Sequence, residues 1–147
     1  MTTPHPIILC GKTEAIGAVV VESLKPEIET IEFIQSVEAG KKRIPALLRG
    51  ERVDCGAGSS KLGTRDYDRI PVAVVLGAAF DDQGIVELRD AARVEGARDV
   101  PWLRPDARKP MPPPGPAYGE AMVERIKVRV KELEERGELG NGGVVWF

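Results

Sequence analysis

The chain has 147 residues, 42% hydrophobic and 30% charged, a balance that suits one globular domain closing one core. Twenty-one basic residues stand against 23 acidic ones, and the net charge of −2 gives no whole-molecule attraction to nucleic acid or to an anionic membrane, so neither is an expected partner. A single histidine argues against a zinc site, and Cys10 and Cys55 form neither a disulfide framework nor a metal-ligand spacing. No apolar run approaches the roughly 20 residues of a membrane span, and Met1 to Pro6 lacks the basic-then-apolar order of a signal peptide. A soluble, cytoplasmic protein in a reducing compartment is the expectation.

In chain order, Ile7-Ile8-Leu9-Cys10 is a continuous apolar run ending at Gly11, as in a strand buried on both faces of a parallel sheet. The helix after it carries Ile16, Val20 and Leu24 at spacing four, with Val19 and Val21 widening the stripe and Pro26 beyond its end. Ile28 to Ile34 alternates apolar and polar residues, which predicts a second, more exposed strand. Ser36 caps a short turn through Ala39, and Pro45 is placed to open a second short helix, Pro45 to Arg49, that Gly50 closes. Glu51 to Arg69 has little periodicity, and Gly56, Gly58, Ser59, Ser60 and Gly63 mark it as a loop.

Pro71 to Leu76 is the second strongly apolar run and stops at Gly77. Asp81 or Asp82 caps a helix running to about Val94, and Val100 to Leu103 reads as a short fourth strand. Arg104 to Pro116 holds Pro105, Pro110, Pro112, Pro113, Pro114 and Pro116, which excludes helix and inner strand. The final helix, Tyr118 to about Arg136, places Met122, Ile126, Val130 and Leu133 on one face, with Gly137 as its stop. Val144 to Phe147 is left as an edge strand or a contact surface.

This alternation predicts an α/β domain with a mostly parallel sheet of four or five strands, right-handed crossovers and helices on both faces. Ligands of such sheets lie outside the carboxyl ends of the strands, near the point where strand order reverses. The loops that qualify are Gly11 to Gly17, Gln35 to Arg43, Gly77 to Asp82 and Arg104 to Tyr118.

Cys10-Gly11-Lys12-Thr13-Glu14-Ala15-Ile16-Gly17 resembles the Thr-Gly-x-x-x-Gly-Ile-Gly turn of the short-chain dehydrogenases and related NAD(P)-binding Rossmann folds. Gly11, Ile16 and Gly17 match, while Cys10 replaces the threonine and Ala15 the middle glycine. With Pro101 to Asp106 and Gly115 to Gly119, the whole chain is similar to small uncharacterised fungal proteins with a Rossmann-like fold. The resemblance implies a small three-layer Rossmann-like domain holding a nucleotide at Gly11, Lys12, Thr13 and Gly17. Ala15 narrows the backbone approach to a pyrophosphate, and Glu14 adds an unfavourable charge beside it.

Where a ribose-binding acid is expected, about 20 residues after the turn, stand Gln35 and Ser36, followed by Lys41, Lys42 and Arg43. That favours a 2′-phosphate, hence NADP, if any dinucleotide binds; the alternative is a basic triplet that is simply solvated. Gly77-Ala78-Ala79 resembles the Asn-Ala-Gly type turn of the same families without its asparagine; alternatively, its small residues let a helix pack on a strand. The dehydrogenase chemistry itself is missing. It needs a tyrosine with a lysine four residues on, whereas Tyr118 is followed by Met122 and Tyr67 by Pro71. Gly11-Lys12-Thr13 lacks the preceding glycine and spacer of a Walker A loop.

The segment Trp102 to Tyr118 holds Trp102, Arg104, Asp106, Arg108, Lys109 and Tyr118 beside a strand end, with proline limiting its freedom. Asp106 and Tyr118 suit an acid and base pair, with Arg104 as the binder of an anionic or carbonyl group. The structural alternative is a tryptophan covering the core and a local ion pair between Arg104 and Asp106. Three functions follow: an NADP-binding reductase or accessory protein, a cofactor-free isomerase or cyclase working through Asp106 and Tyr118, and a non-catalytic module binding through the Val144 to Phe147 tail as a homodimer.

Overall fold

The computed structural model describes residues 4–53, 62–77, 80–106, 108–110, 112–113, 115–140 and 142–147. Five strands, β1 (His5–Cys10), β2 (Ile28–Ile34), β3 (Ala73–Leu76), β4 (Pro101–Arg104) and β5 (Gly143–Trp146), form one all-parallel sheet in the order β2-β1-β3-β4-β5. Helices α1 (Glu14–Leu24), α2 (Val37–Leu48), α3 (Asp82–Ala92) and α4 (Pro116–Glu135) connect them. The result is the small three-layer, Rossmann-like α/β fold that the alternation predicts.

Because side chains on a strand alternate between faces, the two apolar runs divide between two cores. Ile7, Leu9, Ala73 and Val75 pack with α1 and α4, whereas Ile8, Cys10, Val74 and Leu76 pack with α2 and α3. Strand order reverses at β1, since the chain leaves it towards β2 and returns on its other side as β3.

Three expectations are corrected. First, β2 is buried along almost its whole length, although its alternation predicted a more exposed strand. It is an edge strand, but the segment after Leu62 covers it: the Thr64 and Arg65 amides donate to the carbonyls of Thr30 and Ile31 at 2.9 and 3.0 Å. Gly63 makes this close approach possible, with φ +95° and the Ile31 carbonyl 2.5 Å from where a Cβ would stand. A register shift between Ile7 and Ile8 gives β2 one extra residue, and the carboxylate of Glu32 is held in the interior by Arg43.

Second, the predicted turn and short helix are one helix, α2. Ser36 does cap it, its Oγ accepting from the Ala39 amide at 3.1 Å. Pro45 lies inside, near the end, where it removes one backbone hydrogen bond. The buried stripe Gly40, Ile44, Leu47 and Leu48 continues across it and holds the helix together.

Third, α4 begins at Pro116 rather than Tyr118, with proline in the first turn, where no backbone donor is needed. The tail takes the first of its two expected forms, an edge strand. It forms β5, and Phe147 is buried, its amide donating to the Arg104 carbonyl at 2.9 Å and its carbonyl accepting from the Asp106 amide at 2.7 Å. Cys55 and the glycine and serine residues from Gly56 to Ser60 lie outside the described residues, as do Ala78 and Ala79. Among the described residues no helix is long and apolar enough to cross a membrane.

Candidate functional site

At the carboxyl ends of β1 and β3, beside the reversal of strand order, lies a cavity of about 80 Å³. Its rim is the turn after β1, with Gly11, Lys12 and Thr13, and the first residue after β3, Gly77. The Gly11 amide donates to the Ile34 carbonyl at 2.9 Å and the Gly77 amide to the Cys10 carbonyl at 2.8 Å, so both glycines extend the sheet and hold the rim fixed. Gly17, one turn into α1, lies under the Phe33 ring; a Cβ on Gly17 would stand 2.6 Å from the ring carbons Cε1 and Cζ.

The far wall comes from α4, which contributes Tyr118 and Met122. Gly119 faces α1, where a Cβ would stand at an ordinary contact distance of 3.8 Å from side chains of Val19 and Val20. The lining is thus mainly apolar, with Lys12, Thr13 and Tyr118 as its residues with polar side chains. The Lys12 ammonium also lies 5.8 Å from the centre of the Phe80 ring, within cation–π reach. Thr13 is the N-cap residue of α1 but makes no side-chain hydrogen bond to the first turn. Cys10 borders the cavity at the end of β1, but its side chain belongs to the core on the α2 and α3 face; burial there pushes its thiol well above the ordinary range, which leaves it protonated and without nucleophilic character at neutral pH.

The fold therefore brings Gly11, Lys12, Thr13, Gly17, Gly77 and Tyr118 to one place. The other anticipated residues are elsewhere. Lys41, Lys42 and Arg43 belong to α2 rather than to a turn after β2, because the Ser36 cap starts the helix directly. Lys41 pairs with Glu87 at 3.0 Å and Arg43 with the buried Glu32, while Lys42 is exposed. Asp106 is not in the cavity. It receives two hydrogen bonds of 3.1 Å from the Arg108 guanidinium and one of 3.0 Å from the Arg108 amide. Those bonds, side chain first, hold its carboxyl below the usual carboxylate range.

Asp106 and Tyr118 are thus not joined as an acid and base pair, because local hydrogen bonding turns the carboxylate back on its own loop. Nor does Arg104 pair with Asp106. Its guanidinium meets the Asp82 carboxylate at 2.7 Å and stacks on the Trp146 ring at 4.5 Å. Trp102 belongs to the core on the α2 and α3 face, as the structural alternative held.

Sequence reasoning missed Phe33 and Met122 as cavity walls. Phe33 pairs in register with Leu9, so the face it shares with the first apolar run was the available signal. It also missed the interior polar group of Glu32, which accepts from Arg43 and, at 3.4 Å, from the Tyr67 hydroxyl. A glutamate inside an alternating strand carries no mark of burial until the cover over the edge is known.

Fold and cavity together define a small doubly wound α/β protein with a compact site at the switch point of its sheet. Within that class the chain is 37% identical over 141 residues to the Kojic acid related protein 6 of Aspergillus oryzae, covering 95% of this chain and 80% of that protein. It belongs to the family of that protein. No family profile matches the chain, and no solved structure does.

Proposed function

We propose that this protein binds a compact cyclic ligand with an acidic or strongly polarised hydroxyl group, seated in the cavity between Phe33, Gly17 and Tyr118 with its oxygen edge towards Lys12. The observation that carries this is the convergence of the glycine turn, Gly77 and Tyr118 on one small, mainly apolar cavity. Its volume is far below the roughly 300–1,000 Å³ of pockets that enclose drug-sized ligands, so a single ring fits the site better than a dinucleotide. The relative's name couples that protein to kojic acid, a hydroxylated pyranone of one six-membered ring. That is the ligand class we infer here.

A second reading is NADP(H), bound by a reductase or accessory protein. One feature favours it: the glycine turn and the start of α1 stand at the switch point, where sheets of this kind hold a phosphate. In this reading most of the dinucleotide lies outside the cavity, and Lys12 rather than Lys41 or Arg43 supplies the nearest positive charge.

Calorimetric titration of the purified chain with kojic acid, NADPH and NADH separates the two. Binding of kojic acid, lost in Lys12→Ala and weakened in Tyr118→Phe, is the expected result. NADPH binding without kojic acid binding moves the assignment to the nucleotide, and silence with all three removes both.

A further inference from the structure

We infer that Phe33 sets the upper size limit of the ligand, through a contact that the glycine turn exists to accommodate; this rests on the small-ring reading above. Phe33 projects from β2 with only 2% of its surface exposed, and its ring lies against both glycines of the turn. A Cβ on Gly11 would meet Cε1 at 3.3 Å, and one on Gly17 would meet Cε1 and Cζ at 2.6 Å. Both glycines are therefore filled from inside the protein by an aromatic side chain. The ring then stands as the wall of the cavity on the β2 side, facing Tyr118 and Met122 on α4.

That wall is hard to move. A buried phenyl ring has two torsions, and the neighbouring Ile7, Leu9 and Val20 belong to the same close-packed core. A ligand wider than one ring must displace the phenyl from the space above Gly17, whereas a single ring does not. Shortening residue 33 lengthens the cavity towards β2 and leaves the rim unchanged, because Gly11 and Gly77 are fixed by backbone hydrogen bonds. Discrimination between ligand sizes therefore resides in one side chain that carries no polar group.

The test uses a ladder of probes with the same hydroxyl on a growing ring system, phenol and 2-naphthol, together with kojic acid. Binding is followed by amide NMR shifts at Gly11, Gly17 and Gly77 in the wild type and in Phe33→Leu, with Phe33→Met as the second variant should the first not fold. The expected result is a wild type that prefers phenol to 2-naphthol and a variant in which that preference shifts by about tenfold towards the larger ring. A folded variant with the wild-type preference overturns the inference while leaving the small-ring reading intact. Naphthol binding gained in the variant, with no kojic acid binding in the wild type, leaves Phe33 as the size limit and removes the kojic acid reading. No shift with any probe in either protein overturns both.

Discussion

A methyl group on Gly17 would stand 2.6 Å from the ring of Phe33, closer than any real carbon contact, so the first turn of α1 and the middle of β2 are fitted to one another through a missing side chain. Gly17→Ala is expected to destabilise the protein. Helix propensity alone gives alanine an advantage of about 1 kcal/mol. Overpacking a buried ring costs about 1–3 kcal/mol, and here the ring has little room to retreat. The net expectation is a loss of up to about 2 kcal/mol, read as a lower urea midpoint. Gly11→Ala, whose Cβ contact is the looser 3.3 Å, should lose less. A Gly17→Ala protein as stable as the wild type means that the ring moves freely, and the fitted contact is then no constraint.

The pair Glu32 and Arg43 makes the second prediction. Glu32 is 1% exposed and the Arg43 side chain 14%, so removal of the arginine takes its cationic partner from a carboxylate in the interior and leaves the Tyr67 hydroxyl as a long, weak donor. Arg43→Ala is expected to cost about 3–5 kcal/mol, the usual consequence of breaking a buried ion pair from one side. The double variant Glu32→Leu, Arg43→Leu should recover much of that loss, because the uncompensated charge goes with its partner. Chemical denaturation of the two variants decides it, and near-equal losses in both would falsify the account.

The same pair shows where the sequence was legible and where it was not. The runs Ile7 to Cys10 and Ala73 to Leu76 are buried on both faces and need no tertiary information to be read as inner strands. The carboxyl-end rule of parallel sheets depends on connectivity alone, and it selects the loops that carry the glycine turn, Gly77 and Tyr118. It also selects Gln35 to Arg43, but where Lys41 to Arg43 stand is not a matter of connectivity. Their positions depend on whether a helix starts at Ser36, and their charge depends on acids supplied by β2 and α3, 11 and 46 residues away in the chain. Asp106 was misplaced for a related reason. An aspartate two residues before an arginine folds back onto it locally, and a proline-rich segment makes that closure easy. Burial of β2 was hidden because its cover comes from Gly63 to Tyr67, beyond α2 in the chain.

The thiol of Cys10 gives a prediction about pH. Burial raises its ionisation well above that of the unfolded chain, where a cysteine loses its proton from about pH 8.5. A group whose folded ionisation lies higher contributes stability that is fully present below the unfolded value and lost as pH rises beyond it. With Cys55 changed to serine, so that Cys10 is the sole thiol, the protein should resist alkylation at pH 7 and react fully in urea. Its stability should fall as pH rises above about 8.5, and Cys10→Ala in the same background should remove that part of the slope. Rapid labelling of the folded protein at neutral pH would show that the core on the α2 and α3 face admits reagent to the sulfur, and the burial of Cys10 would then not be the source of the slope.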